Sequence, residues 1–173
     1  MSVPKQSGSR TAFLERLALE HPDSVALADR LVRWARANDV VLRWSSAATF
    51  DTMIGWIVLG VQEQKVFSVQ TNGQVSVLFR QLSNRVPIAS DSAREATLQG
   101  LAAHLPNLPA TSFSATKPDD KAVWPLSAFA TAEPVGELLK LLEWMLRGLR
   151  AEHEEMLAGR RTKKKGKSVV AQG

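Results

Sequence analysis

Asp51, Glu63 and Lys65 are the residues whose order comes nearest to a reaction centre. A divalent-metal nuclease built on a sheet places an acid near one strand and an acid-x-lysine pair on the next, so that carboxylates hold magnesium beside a lysine. Asp51 followed by Glu63-Gln64-Lys65 has that order. The local context suits it poorly. Glu63 falls in the polar stretch Gln62-Glu63-Gln64-Lys65, which reads as a hairpin turn, whereas the chemistry wants it at the end of an apolar strand. The three histidines add little. His21 precedes a proline, and His104 ends a predicted helix, where a cation complements the dipole. His153 would need a second histidine at position 157 to form a zinc-protease helix, and that position is Leu157. All three read as solvated surface residues, and Asp119-Asp120 beside Pro118 reads as a turn. No nucleophile elbow, phosphate-binding loop or dinucleotide fingerprint is present. No cofactor is expected, and the chain reads as a binding module more readily than as an enzyme.

A second chemistry lies in the charge distribution. The chain holds 22 basic and 17 acidic residues, a net +5. Six of the cations, Arg160, Arg161, Lys163, Lys164, Lys165 and Lys167, crowd into residues 160–173, which contain no acid. Without them 16 basic residues face 17 acidic ones, so the rest of the chain sits near −1. Attraction to polyanions is local, so the basic character belongs to this segment alone. A dense run of lysine and arginine contacts phosphates without reading sequence, through release of condensed counterions. DNA or RNA is therefore the first expected partner.

The third candidate is aromatic. The chain has five tryptophans and no tyrosine. Trp34, Trp44, Trp56 and Trp124 fall at core or core-edge positions. Trp144 lies on a helical face that is otherwise polar, so with Leu141 it is the candidate anchor for a protein partner or a second copy.

The elements that must position these groups follow from periodicity. Thr11–Glu20 predicts a short helix with Phe13, Leu14 and Leu17 on one side. Asp23 is placed to cap a second helix over residues 24–37, whose Val25, Ala28, Val32 and Ala35 share a face widened by Leu27, Leu31 and Trp34. Asn38 serves as its stop. Strands are predicted over 40–45, 52–61, 65–71 and 74–82. The 52–61 strand is apolar on both faces and belongs in the middle of a sheet. Asn72-Gly73 predicts a two-residue hairpin turn, which pairs Thr71 with Gln74 and sets Phe67 opposite Leu78. Ser92 with Glu95 forms a capping box for a middle helix reaching His104. A short edge strand over 111–115 and a return through Val123-Trp124-Pro125-Leu126 come next. The last helix runs from 132 to 158, with Val135, Leu138, Leu139, Leu142, Met145, Leu146 and Leu149 as its buried stripe.

The stretch from Val69 to Leu82, with its Thr-x-Gly turn and the strand end Phe79-Arg80-Gln81-Leu82, resembles a segment of a family of uncharacterised bacterial α+β domains. Trp34, Pro125-Leu126 and Trp144 look like further shared positions. Asn72 departs from the pattern, which has an aromatic there. The resemblance implies a fold and brings no activity and no catalytic residue.

Together these readings predict an α+β fold: an antiparallel four- to five-stranded sheet packed against N-terminal, middle and C-terminal helices. Residues 1–10 are expected to be flexible, 11–158 to form one domain, and 159–173 a disordered basic tail. The absence of cysteine excludes disulfides and thiolate metal sites, and suits a cytoplasmic setting. The longest apolar run, Met53 to Val61, is too short to span a bilayer, and the polar Met1–Arg10 has no secretory pattern. The leading expectation is a non-enzymatic accessory module of a larger assembly whose tail has non-specific nucleic-acid affinity. The alternatives are a protein–protein or homo-oligomerisation module using the C-terminal helix, and a divalent-metal nuclease using Asp51, Glu63 and Lys65. Arg43 and Arg80 are weaker candidates for a basic sheet edge.

Overall fold

The first helix starts where the sequence supplies a cap. The Ser9 hydroxyl accepts a hydrogen bond from the Ala12 N–H at 3.1 Å, and α1 (Arg10–Glu20) buries Phe13 and Leu17. His21 closes it, and Pro22–Ser24 makes a single tight turn before α2 (Val25–Ala37). Asp23 lies inside that turn and does not cap α2; the cap position falls to Ser24. Pro22 is responsible, because its fixed φ starts helical geometry one residue earlier. Asn38 closes α2 as expected, its N–H reaching the Trp34 and Ala35 carbonyls.

The structure, a computed structural model, describes residues 6–77 and 122–169. The predicted middle helix at 92–104, the predicted edge strand at 111–115 and the residues Phe79, Arg80 and Leu82 lie outside them. The fold is α+β. Five strands form an antiparallel sheet in sequence order: β2 (Val41–Ser46), β3 (Asp51–Leu59), β4 (Gln62–Gln70), β5 (Gln74–Val77) and β6 (Ala122–Pro125). The two-residue strand β1 (Gln6–Ser7) joins the β2 edge opposite Ser45 and Ser46. A C-terminal helix, α3 (Ala132–Val169), completes the order.

Two turns differ from the sequence reading, each for a physical reason. The stretch Gln62–Lys65 is strand, and the β3–β4 turn is Gly60-Val61. Gly60 takes φ 63°, the conformation a two-residue hairpin needs at its first position. The second hairpin is a three-residue loop, Thr71-Asn72-Gly73, pairing Gln70 with Gln74, and of these only Gly73 has positive φ. Thr71 is committed to β3: its N–H donates to the Asp51 carbonyl and its hydroxyl accepts from the Asp51 N–H, both at 2.9 Å. The one-residue change of register decides the faces. Val75 and Val77 now stand opposite Val69 and Phe67, apolar against apolar.

A bulge sits in β4. Gly55 pairs with Phe67 and Trp56 with Lys65, leaving Val66 as the extra residue. The shift of parity carries Lys65 and Glu63 to the face of Trp56, away from the helices. On the helix-covered face the Phe67 ring lies across Gly55, so close that a Cβ there would meet Phe67 Cε1 at 2.2 Å. Trp34 of α2 meets the same ring edge-on, with centroids 6.1 Å apart.

α3 buries Val135, Leu138, Leu141, Leu142, Met145, Leu146 and Leu149. Arg30 of α2 donates to the Ala132 carbonyl at 3.2 Å, and Arg150 donates to the Asn38 carbonyl at 2.5 Å. These bonds tie α3 to α2 at two places. Its backbone remains helical beyond residue 158 to Val169, through the segment whose composition suggests disorder. Lysine and arginine are good helix formers, and positive charge near a helix C-terminus complements the dipole. Among the described residues no helix is long and apolar enough to cross a membrane.

Gly55→Ala is expected to lower stability by about 1–3 kcal/mol, the usual cost of overpacking. Urea unfolding would show a lower midpoint with an unchanged slope. The double variant with Phe67→Leu should lose less than the two single effects added, because the clash is shared.

Candidate functional site

The basic segment is the end of a helix whose departure from the body is set by named contacts. Among the described residues, Leu149 is the last fully buried apolar side chain on α3. One residue further the Arg150 guanidinium holds the end of α2. His153 is half-buried, its imidazole against Gly60 at the β3–β4 turn, and so is not the solvated residue expected. Leu157 is exposed, as are Ala158 and Gly159. The helix then continues through Arg160, Arg161, Lys163, Lys164, Lys165 and Lys167.

The nuclease set does not assemble. Asp51 lies level with Thr71 at one end of the β3–β4 ladder, and Glu63 pairs with Val58 near the other. Seven residues of β3 separate those levels, about 23 Å of strand. Asp51 has a different task. Its carboxylate accepts from the Ser46 hydroxyl at 2.5 Å and lies 3.9 Å from the Arg16 guanidinium, while Arg16 also donates to the Thr49 carbonyl at 2.6 Å. The hydrogen bond to Glu20 raises the Arg16 guanidinium above its ordinary value, with the Asp51 charge adding to it. This cluster ties α1 to the β2–β3 connection. Among the described residues no group of histidines and acids is placed to hold a metal.

Glu63 and Lys65 belong instead to a surface patch on the far side of the sheet. Glu63 pairs with Arg43, and both are exposed. The Arg43 guanidinium lies 4.7 Å from the centre of the Trp56 ring and the Lys65 ammonium 5.0 Å from it. Two cations thus stack on one half-buried indole, an arrangement that holds the sheet surface in place.

Trp144 and Leu141 do not form an open anchor. Leu141 is 3% exposed and belongs to the core, and Trp144 is half-buried against it. A wheel drawn on the stripe alone places Trp144 opposite the core; the buried face is wider because Leu141 joins it. A feature that the sequence reading missed lies elsewhere. A cavity of about 240 Å³ opens beside β2, lined by Arg10, Val32, Arg36, Val40, Leu42 and Trp44. Its residues come from three elements, and the one local sign is the four-residue spacing of Val32 and Arg36 on α2.

No family model matches the chain, and no curated protein or solved structure matches it.

Asp51→Asn is expected to cost about 1–2 kcal/mol, as the loss of a charge-assisted hydrogen bond does. A thermal melt would show it as a lower Tm. Millimolar magnesium should leave the parent Tm unchanged, because a ligand raises Tm only when it binds the folded state. A magnesium-dependent rise that disappears in Asp51→Asn would restore the metal reading.

Proposed function

We propose that this chain is a non-enzymatic binding module of a larger assembly, and that the end of α3 supplies non-specific affinity for nucleic-acid phosphates. The observation that supports the reading is the segregation of charge on one anchored helix. Six cations occupy residues 160–167, while the remainder of the chain is near −1. The helix that carries them is held to the body by Arg150 and His153 within about two turns of the first cation. The arm therefore leaves in a fixed direction and meets a polyanion with its backbone already ordered, which reduces the entropy lost on binding. The near-neutral body neither repels nor attracts a phosphate backbone strongly. Recognition of this kind reads charge density, so DNA and RNA are both substrates for it, and sequence is not read. A cysteine-free composition fits a cytoplasmic setting for such a module.

The test compares the full chain with a 1–159 truncation, each titrated with random duplex DNA and single-stranded RNA at roughly 50 and 200 mM salt. The full chain should bind both, and affinity should fall steeply with salt. The logarithmic slope should approach about −5 for duplex DNA if all six cations meet phosphates. The truncation keeps every described core residue, so its Tm should be unchanged and its binding lost. Equal binding by the two chains would overturn the proposal and move the site to the body.

A further inference from the structure

Among the described residues, the edge of the sheet at β2 is open along most of its length. β2 pairs with β3 from Val41 to Ser46, but on its other side β1 covers only Ser45 and Ser46. Among the described residues nothing pairs with Val41–Trp44 on that side, and alternate residues there turn N–H and C=O outward. β1 shows that this edge accepts an antiparallel strand. The chain then leaves it at Gly8, which approaches Ser45 so closely that a Cβ would meet the Ser45 carbonyl carbon at 2.9 Å. Helix α1 begins two residues later, and no described residue continues the line of β1 towards Val41.

That line runs beside the 240 Å³ cavity. Leu42 and Trp44 stand on the helix-covered face of β2 and form its floor with Val32 and Val40. Phe13 covers part of Trp44, with ring centroids 5.3 Å apart. Two guanidiniums complete the lining, Arg36 from α2 and Arg10 from α1. Arg36 is exposed, and Arg10 lies 3.9 Å from its nearest acid, Asp29, with both of those side chains about half exposed. An open backbone edge, an apolar floor and two accessible cations are the three parts of a site for an added strand.

We infer that the β2 edge at Val41–Trp44 is a docking site for an extended, acidic segment of a partner protein, which adds a strand antiparallel to β2. One of its apolar side chains enters the cavity against Trp44. Acidic side chains two residues to either side share that face and meet Arg10 and Arg36. Backbone pairing gives the affinity, and the charge of the cavity gives the choice of partner. The site is separate from the arm at the end of α3 and does not depend on the function proposed for it.

The probe is a fluorescein-labelled peptide, Thr-Glu-Thr-Phe-Thr-Glu-Thr, with a control carrying lysine in place of glutamate. Anisotropy titrations use the full chain and its Arg36→Glu variant, with circular dichroism confirming that the variant folds. Amide exchange is followed at Val41–Trp44. The acidic peptide should bind and slow exchange at those amides, and Arg36→Glu should weaken it by about tenfold or more while improving binding of the lysine control. Three outcomes would overturn the inference. One is no saturable binding of the acidic peptide. Another is equal binding of both peptides by the parent. The third is protection of Val41–Trp44 without peptide together with a dimeric mass, which would assign the edge to a second copy of the chain.

Discussion

Phe67 can lie across the middle of the sheet only because residue 55 has no side chain. With the ring packed on the Gly55 backbone, β4 presents an aromatic surface where α2 descends with Trp34, and the helix-to-sheet contact is made by two rings over a bare strand. The rest of the helix-covered face follows from this. Met53, Ile57 and Leu59 on β3 and Val69 on β4 extend the same layer, and the paired valines of β5 close its far side. α3 then lies over that layer with its leucine stripe. The bulge beside Gly55 belongs to the same device. It allows Phe67 to face the helices while Lys65, two residues earlier, faces away, which strict alternation forbids.

A polar counterpart secures the other end of the β3–β4 ladder. Asp51 exchanges backbone and side-chain hydrogen bonds with Thr71, accepts from Ser46 and lies near Arg16. Residues of α1, β2 and the β4–β5 loop are thereby fixed at one residue of β3. An acid in this position looks catalytic when the sequence is read alone, yet its partners are those of a structural fastener. The separation of Asp51 from Glu63 is a consequence of the register, so the same pairing that builds the sheet removes the metal site.

How much of this was legible in the residues depends on whether a pattern was local. Helix α2 and most of the buried stripe of α3 are legible at three-four spacing, as is the central position of β3; in α3, Leu139 is only half-buried and Leu141 joins the core instead. The turn at Gln62–Lys65 was misread because four polar residues resemble a loop; pairing with β3 overrides their weak strand preference. The Asn72-Gly73 turn has the right residues for a two-residue loop, but Thr71 is held by β3, a tertiary contact that no local window contains. The polar face assigned to Trp144 follows from a stripe that leaves Leu141 out, whereas Leu141 is part of the core and Trp144 packs partly against it. The β2 cavity was invisible because Arg10, Arg36 and Trp44 converge only after three elements pack.

The length of α3 has a hydrodynamic consequence. Its 38 residues make a rod of about 57 Å, against a body about 30 Å across. Leu149, its last fully buried apolar side chain among the described residues, comes near the middle of that rod, and His153 still meets Gly60 one turn further on, so the fin is the stretch of helix beyond that contact. A particle of this form tumbles anisotropically, with slow reorientation of the long axis and faster spinning about it. Because helical N–H vectors lie nearly parallel to their axis, those of α3 share one orientation in that frame. Their nuclear relaxation would form a separate family from that of the sheet amides, and it would report the direction of the fin without any ligand bound.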